Sequence, residues 1–195
     1  MLEGIQAIIW DFDCTFLQTH TRGSPMTPTD VQKGKSTPVS TYAKQLFQHA
    51  YRLKLCQGFA SFADNRLAKN GQIQGWELIQ KVLHREGLDR AVPIIALNPA
   101  NYQKLDKKED QKALETHCLH LKQNHIRLKT EYLHQGKRMH YETLSHFWKL
   151  PPSNILVIDD SIENIKVAYA LGYNVIHVKG KGLTRNDILQ RSQRV

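Results

Sequence analysis

No run of apolar residues in this sequence is long enough to span a bilayer; the longest have the length of single strands. The N-terminus lacks a charged stretch followed by an apolar one, so no Sec-type export signal is expected. Cysteine is scarce. Cys14, Cys56 and Cys118 are odd in number and show no paired spacing, which argues for reduced thiols and a cytoplasmic, reducing compartment. None has Arg six residues later, which excludes a cysteine-dependent phosphatase. The group His117-Cys118-Leu119-His120 has no second ligand pair at usable spacing, so zinc is not expected and surface-helix residues are. There is no internal repeat and no long Lys/Arg block.

Two partial motifs also fail. Gly34-Lys35-Ser36 imitates the end of a phosphate-binding P-loop, but the Gly required five residues earlier is Thr29 and no strand precedes it. A calcium loop counted from Asp11 needs Gly at its sixth position and Glu at its twelfth, and finds Phe16 and Arg22. What is present is a basic balance, with formal net charge +9. That favours an anionic partner: phosphorylated protein, nucleic acid or an acidic membrane surface.

The stretch from Ile5 to Thr15 organises the rest. A short Ile-rich run without helical periodicity reads as a buried strand, and it ends in Asp11 and Asp13. On extended backbone these two carboxylates project to the same side at the strand's carboxyl end, where open α/β sheets bind ligands. A turn ended by two Asp residues is the plainer alternative. A second buried strand, Ile155 to Ile158, runs straight into Asp159-Asp160. If the two strands are neighbours, the carboxylates meet at one sheet edge and repel, unless a divalent cation resolves them; hard oxygen donors select magnesium. Asp160 would otherwise serve as a helix cap before Ser161.

Strands are further expected over Gln57 to Ser61, Pro93 to Leu97 and Tyr173 to Val178. Helices are expected over Ser40 to Leu55, Ile73 to Arg85, Asp106 to His125, Arg138 to Leu150 and Ser161 to Leu171. Their alternation implies a three-layer, Rossmann-like α/β fold, with helices on both faces of a parallel sheet. The expected organisation is one catalytic domain, residues 1–180. It carries a Pro- and Gly-bearing flap at 16–38, read as loop, and a helical insertion at 99–136. The tail 181–195 is basic, with Thr184 and Asp187 spaced as a helix start, and is expected to lack terminal structure and to lead into a longer chain.

The same residues resemble a family. Asp-Phe-Asp-Cys-Thr at 11–15 resembles the first motif of the haloacid dehalogenase (HAD) superfamily, and Ile-Asp-Asp-Ser-Ile-Glu-Asn at 158–164 resembles its fourth. Phe-Ala-Ser at 59–61 resembles the second, and Lys137, 22 residues before Asp159, stands where the third-motif Lys is expected. The resemblance implies an aspartyl-phosphate mechanism, with Asp11 as nucleophile and Asp13 as general acid and base. It further implies magnesium held by Asp11, the Asp13 carbonyl and Asp159, with Asp160 and Asn164 behind them. Thr15, Ser61 and Lys137 would hold phosphoryl oxygens. Carbon–halogen cleaving members generally lack the second Asp, which sets dehalogenation aside. Cys14 departs from the Gly frequent at its position, and an inert buried thiol is the expected reading.

Neither insertion is large enough for a typical folded cap, so the site is expected to be open and to admit a phosphorylated side chain of a protein, phosphotyrosine ahead of phosphoserine. His20, Arg22, Lys33 and Lys35 in the flap are candidate contacts to acidic residues around such a site. The alternatives are a small-molecule or nucleic-acid-end phosphatase, and a non-hydrolytic, receiver-like module that responds to phosphate. Oligomeric state is not legible, and delivery into a host cell as a bacterial effector is compatible with the unusual flap and basic charge.

Overall fold

The computed structural model describes residues 2–63, 68–89, 91–98, 115–116, 121–123, 125–132 and 135–191. Five strands form one sheet: β1 (Ala7–Trp10), β2 (Cys56–Ser61), β3 (Ile94–Ala96), β4 (Ile155–Asp159) and β5 (Asn174–His177). All neighbouring pairs are parallel, in the order β3-β2-β1-β4-β5. β1 is central, which is why its four residues are all buried and apolar.

Successive residues of β1 serve opposite faces. Ile8 and Trp10 join a core with Phe12, Phe16, Phe47, Phe59, Ile79 and Val82. Ala7 and Ile9 join a second core with Ile95, Met139, Tyr141, Leu144, Val157 and Ala168. The first is covered by α2 (Thr41–Arg52) and α3 (Gly75–Arg85), the second by α4 (Arg138–Trp148) and α5 (Ile162–Ala170). The three-layer α/β architecture expected from the alternation is the one observed.

The flap differs from its expectation as a plain loop. It contains α1 (Pro28–Lys33), capped by Thr27, whose hydroxyl accepts from the Asp30 N–H at 3.2 Å. Val31 is its one buried residue, so a helix this short has no periodicity to betray it. Isolated antiparallel bridges tie the flap down at Leu17–Val39 and Met26–Ile73. The second bridge takes Ile73 out of the expected helix, which starts at Gly75.

Most of the helix expected over Asp106 to His125 lies outside the described residues; residues 121–123 are helical, and Leu121 and Ile126 are buried in the second core. The tail is not loose at its start. The N–H groups of Gly182 and Leu183 donate to the carbonyls of Cys14 and Thr15 at 2.8 and 2.9 Å, and α6 (Arg185–Arg191) follows. No helix among the described residues is long and apolar enough to cross a membrane.

Candidate active site

The register of β1 against β4 continues one residue beyond β1: the Asp11 N–H donates to the Ile158 carbonyl at 2.9 Å. This sets Asp11 beside Asp159, the last residue of β4. After Asp11 the chain makes a wide turn over Phe12–Phe16, with Cys14 in the left-handed region (φ 53°). Phe12 and Phe16 are pulled into the core edge-on against Phe59, with centroids at 6.2 and 5.1 Å. Asp11 and Asp13 line a cleft of about 630 Å³ on the other side.

Lys137, just before α4, is 2% exposed and donates to Asp11 Oδ1 and, at 2.6 Å, to Asp159 Oδ2. Burial alone would lower its pKa, but the two carboxylates outweigh burial and hold the ammonium above the usual lysine value. Burial pushes the Asp11 carboxyl well above the usual carboxylate range; the Asp159 charge adds to this and Lys137 opposes it. Asp159 also accepts from the Ser161 N–H (2.9 Å) and Asn164 Nδ2 (3.1 Å), so it sits on the N-terminus of α5. Ser161, not Asp160, is the cap of that helix. Asp160 is instead partly buried, its pKa raised by burial and by Asp159.

Oxygens of Asp11, Asp159 and Asp160 all lie within 4.8 Å of one another. Three carboxylates face one ammonium, and Asp13 Oδ1 is buried without a hydrogen-bond partner among the described residues. Hard oxygen donors with uncompensated negative charge fit a hard divalent cation.

Asp13 lines the same cleft. Its Oδ2 accepts from Thr21 Oγ1 at 2.9 Å and lies 2.8 Å from His20 Nδ1. Ser61, the last residue of β2, lines the cleft and accepts from the Ala63 N–H at 3.2 Å. Asn164, His20 and Arg22 line it too. One expectation is corrected. Thr15 is fully buried and does not line the cleft, because the turn that aims Asp11 and Asp13 outward points Thr15 inward. Lys33, the last residue of α1, and Lys35, beyond its Gly34 cap, are not among the residues lining the cleft. Cys14 is half-buried; burial, then the Asp160 and Asp13 charges, push its thiol up and reduce its reactivity.

Sequence reasoning missed Thr21, Phe62 and Gln74, whose Nε2 donates to the Gly23 carbonyl. Thr21 and Gln74 belong to no motif. Phe62 carried one signal, an aromatic directly after a strand-ending Ser.

No family model matches this sequence, and no curated protein matches it. Solved structures do. The HAD domain of the effector protein Lem4 from Legionella pneumophila, as an inactive mutant, is 12% identical with a TM-score of 0.50, covering 97% of this chain and 93% of that one. An uncharacterized protein from Listeria monocytogenes serotype 4b is 12% identical with a TM-score of 0.49, over 93% of this chain and 83% of that one. L-2-haloacid dehalogenase from Xanthobacter autotrophicus is 12% identical with a TM-score of 0.43, over 95% and 81%. At such identities the likeness is one of fold. The chain has the haloacid dehalogenase-like fold.

Proposed function

We propose that this protein is a magnesium-dependent hydrolase of phosphate monoesters that works through an aspartyl-phosphate. The observation that carries it is the Lys137 ammonium joined to both Asp11 and Asp159, with Asp160 beside them and Asp13 lining the same cleft as Asp11 and Lys137. Asp11 attacks phosphorus; the new Asp11–phosphorus bond forms as the ester oxygen leaves with its electron pair. Asp13 gives that oxygen a proton. In the second step Asp13 takes a proton from water, the water oxygen bonds to phosphorus, and Asp11 is released with inorganic phosphate. Lys137 and the Ser61 hydroxyl hold phosphoryl oxygens throughout. Magnesium held by Asp11, the Asp13 carbonyl and Asp159, with Asp160 and Asn164 supporting them, supplies charge neutralisation when bound.

Asp13 favours phosphoryl hydrolysis over carbon–halogen cleavage, which needs no acid for a halide leaving group. The cleft, lined by His20, Arg22 and Gly23 of the flap as well as by Phe62, has a volume of about 630 Å³, enough for a phosphorylated side chain. The net charge of +9 favours an anionic substrate. The substrate is a phosphorylated protein, phosphotyrosine ahead of phosphoserine. A panel of phosphopeptides, sugar phosphates and a 2-haloacid, run with magnesium on the wild type and on Asp11→Asn, tests this. Turnover of phosphopeptides by the wild type alone is expected. Better turnover of sugar phosphates would sink the substrate class; halide release would sink the reaction.

A further inference from the structure

The cleft is lined almost wholly by polar side chains, and among the described residues Phe62 is its one large apolar member. Phe62 is 37% exposed and lines the cleft, so its ring offers an apolar face to whatever enters there. It is not adrift. Lys137 Nζ lies 5.3 Å from its centroid, so the ring stands directly beside the Asp11–Lys137 pair. His140 meets it at 5.7 Å with planes 75° apart. His140 is fully buried, with Nε2 at 3.1 and 2.9 Å from the Ser61 and Leu97 carbonyls, and so fixes the ring to the ends of β2 and β3.

The flap holds Arg22 in the left-handed region (φ 55°), followed by Gly23 (φ 61°). Left-handed backbone is costly for a long side chain and persists where neighbours enforce it. Here the Arg22 N–H donates to His20 Nδ1 at 2.9 Å, Thr21 donates to Asp13, and Gly23 O accepts from Gln74. The turn presenting Arg22 is thus fastened both to Asp13 and to the start of α3. Both Phe62 and Arg22 line the cleft.

We propose that Phe62 and Arg22 form a clamp for an aromatic phosphoester, taking the leaving-group ring between a phenyl wall and a guanidinium wall. The proposal rests on Asp11 as the phosphoryl acceptor, which places phosphorus beside Phe62. A tyrosyl ring then bridges from the phosphoryl group to the mouth, stacking on Phe62 and accepting the Arg22 cation on its π-face. A seryl phosphate offers no such surface. The same guanidinium favours acidic residues flanking the tyrosine.

Binding to Asp11→Asn protein in magnesium buffer tests this, with fluorescent phosphotyrosine and phosphoserine peptides of one acidic sequence read by anisotropy. The phosphotyrosine peptide should bind about tenfold tighter, the size expected of one aromatic contact and one cation–π contact together. Adding Phe62→Leu should remove about fivefold for phosphotyrosine and nothing for phosphoserine, Phe62→Trp should retain the preference, and Arg22→Gln should weaken phosphotyrosine binding by a few-fold. Equal affinity for the two peptides, or equal losses for both in Phe62→Leu with Phe62→Trp no better, would overturn the clamp. Hydrolysis by wild-type protein is scored separately: selective phosphotyrosine binding without turnover would sink the hydrolase reading and leave the aromatic clamp standing.

Discussion

On the sheet side of the cleft, Asp11, Lys137 and Asp159 are 7%, 2% and 1% exposed, each fixed by the end of a strand or the start of a helix. On the flap side the Asp13 and His20 side chains are 16% and 60% exposed, held by hydrogen bonds within a turn. The difference suits the chemistry proposed for each side. Charge stabilisation of a phosphoryl group gains most in a dry, preorganised site, where an ion pair is strong. Proton exchange and choice of substrate need contact with water and with the incoming ester. The flap is nevertheless no loose lid. Arg85 of α3 donates to Val31 O (2.7 Å), Thr37 Oγ1 (2.7 Å) and Thr37 O (2.6 Å), and its partner Glu86 also takes Lys44 of α2 at 2.8 Å. The largely buried Arg85 guanidinium adds to the bridges that fasten the wetter wall to the core.

Breaking the flap side at Asp13 should give the largest effect. Asp13→Asn is expected to slow formation of the aspartyl-phosphate from alkyl phosphates by about 10²–10⁴-fold. With p-nitrophenyl phosphate, whose leaving group departs without a proton, the same step should slow far less. Rapid-quench measurement reads this directly, and equal losses would remove Asp13 from the acid's role. Breaking the sheet side should show in stability instead. Lys137→Met leaves two buried carboxylates without their shared cation and is expected to cost about 3–5 kcal/mol in urea unfolding, with part recovered on adding magnesium. A loss under about 1 kcal/mol would mean that this wall is as wet as the flap.

The joint between the two sides can be probed at Gly182. A Cβ there would sit 2.9 Å from Ser40 Cβ and 3.2 Å from Leu17 O, at φ +83°. Gly182→Ala should therefore cost about 1–3 kcal/mol, seen as a lowered melting temperature. Glu86→Gln should have the smallest effect, under about 1 kcal/mol at neutral pH. Burial raises the Glu86 pKa, but hydrogen bonds from Lys44 and Arg85 outweigh it and hold the carboxyl below its usual value. A depressed pKa contributes stability above the usual glutamate range and loses it as pH falls through the depressed value. The difference between wild type and Glu86→Gln should close over that acid window; a gap that persists below it would assign the effect to packing.

The strands were legible because burial on both faces demands unbroken apolar runs, as in Ile155 to Ile158, and the acids at their ends stood out against that background. Helices α2 and α3 were legible from their apolar stripes, Leu46, Phe47 and Ala50 in one and Ile79, Val82 and Leu83 in the other. Helix α1 was not, since six residues with one buried side chain carry no period. Thr15 was misplaced for a related reason: motif spacing gives order along the chain, whereas the turn at Phe12–Phe16 decides which side chains face the cleft.

The sequence by itself determined the parallel α/β sheet and the acidic residues Asp11, Asp13, Asp159 and Asp160 at its strand ends, because periodicity and strand-end chemistry are encoded in neighbouring residues; the role expected of Lys137 came only from the resemblance of its spacing to a family motif. Tertiary structure alone decided that β1 and β4 are neighbours and that Lys137 joins Asp11 to Asp159. It likewise decided that Arg22 faces the cleft that Phe62 lines. These are contacts between residues tens of positions apart, fixed by which strands pair and which turns pack, and no local pattern records them.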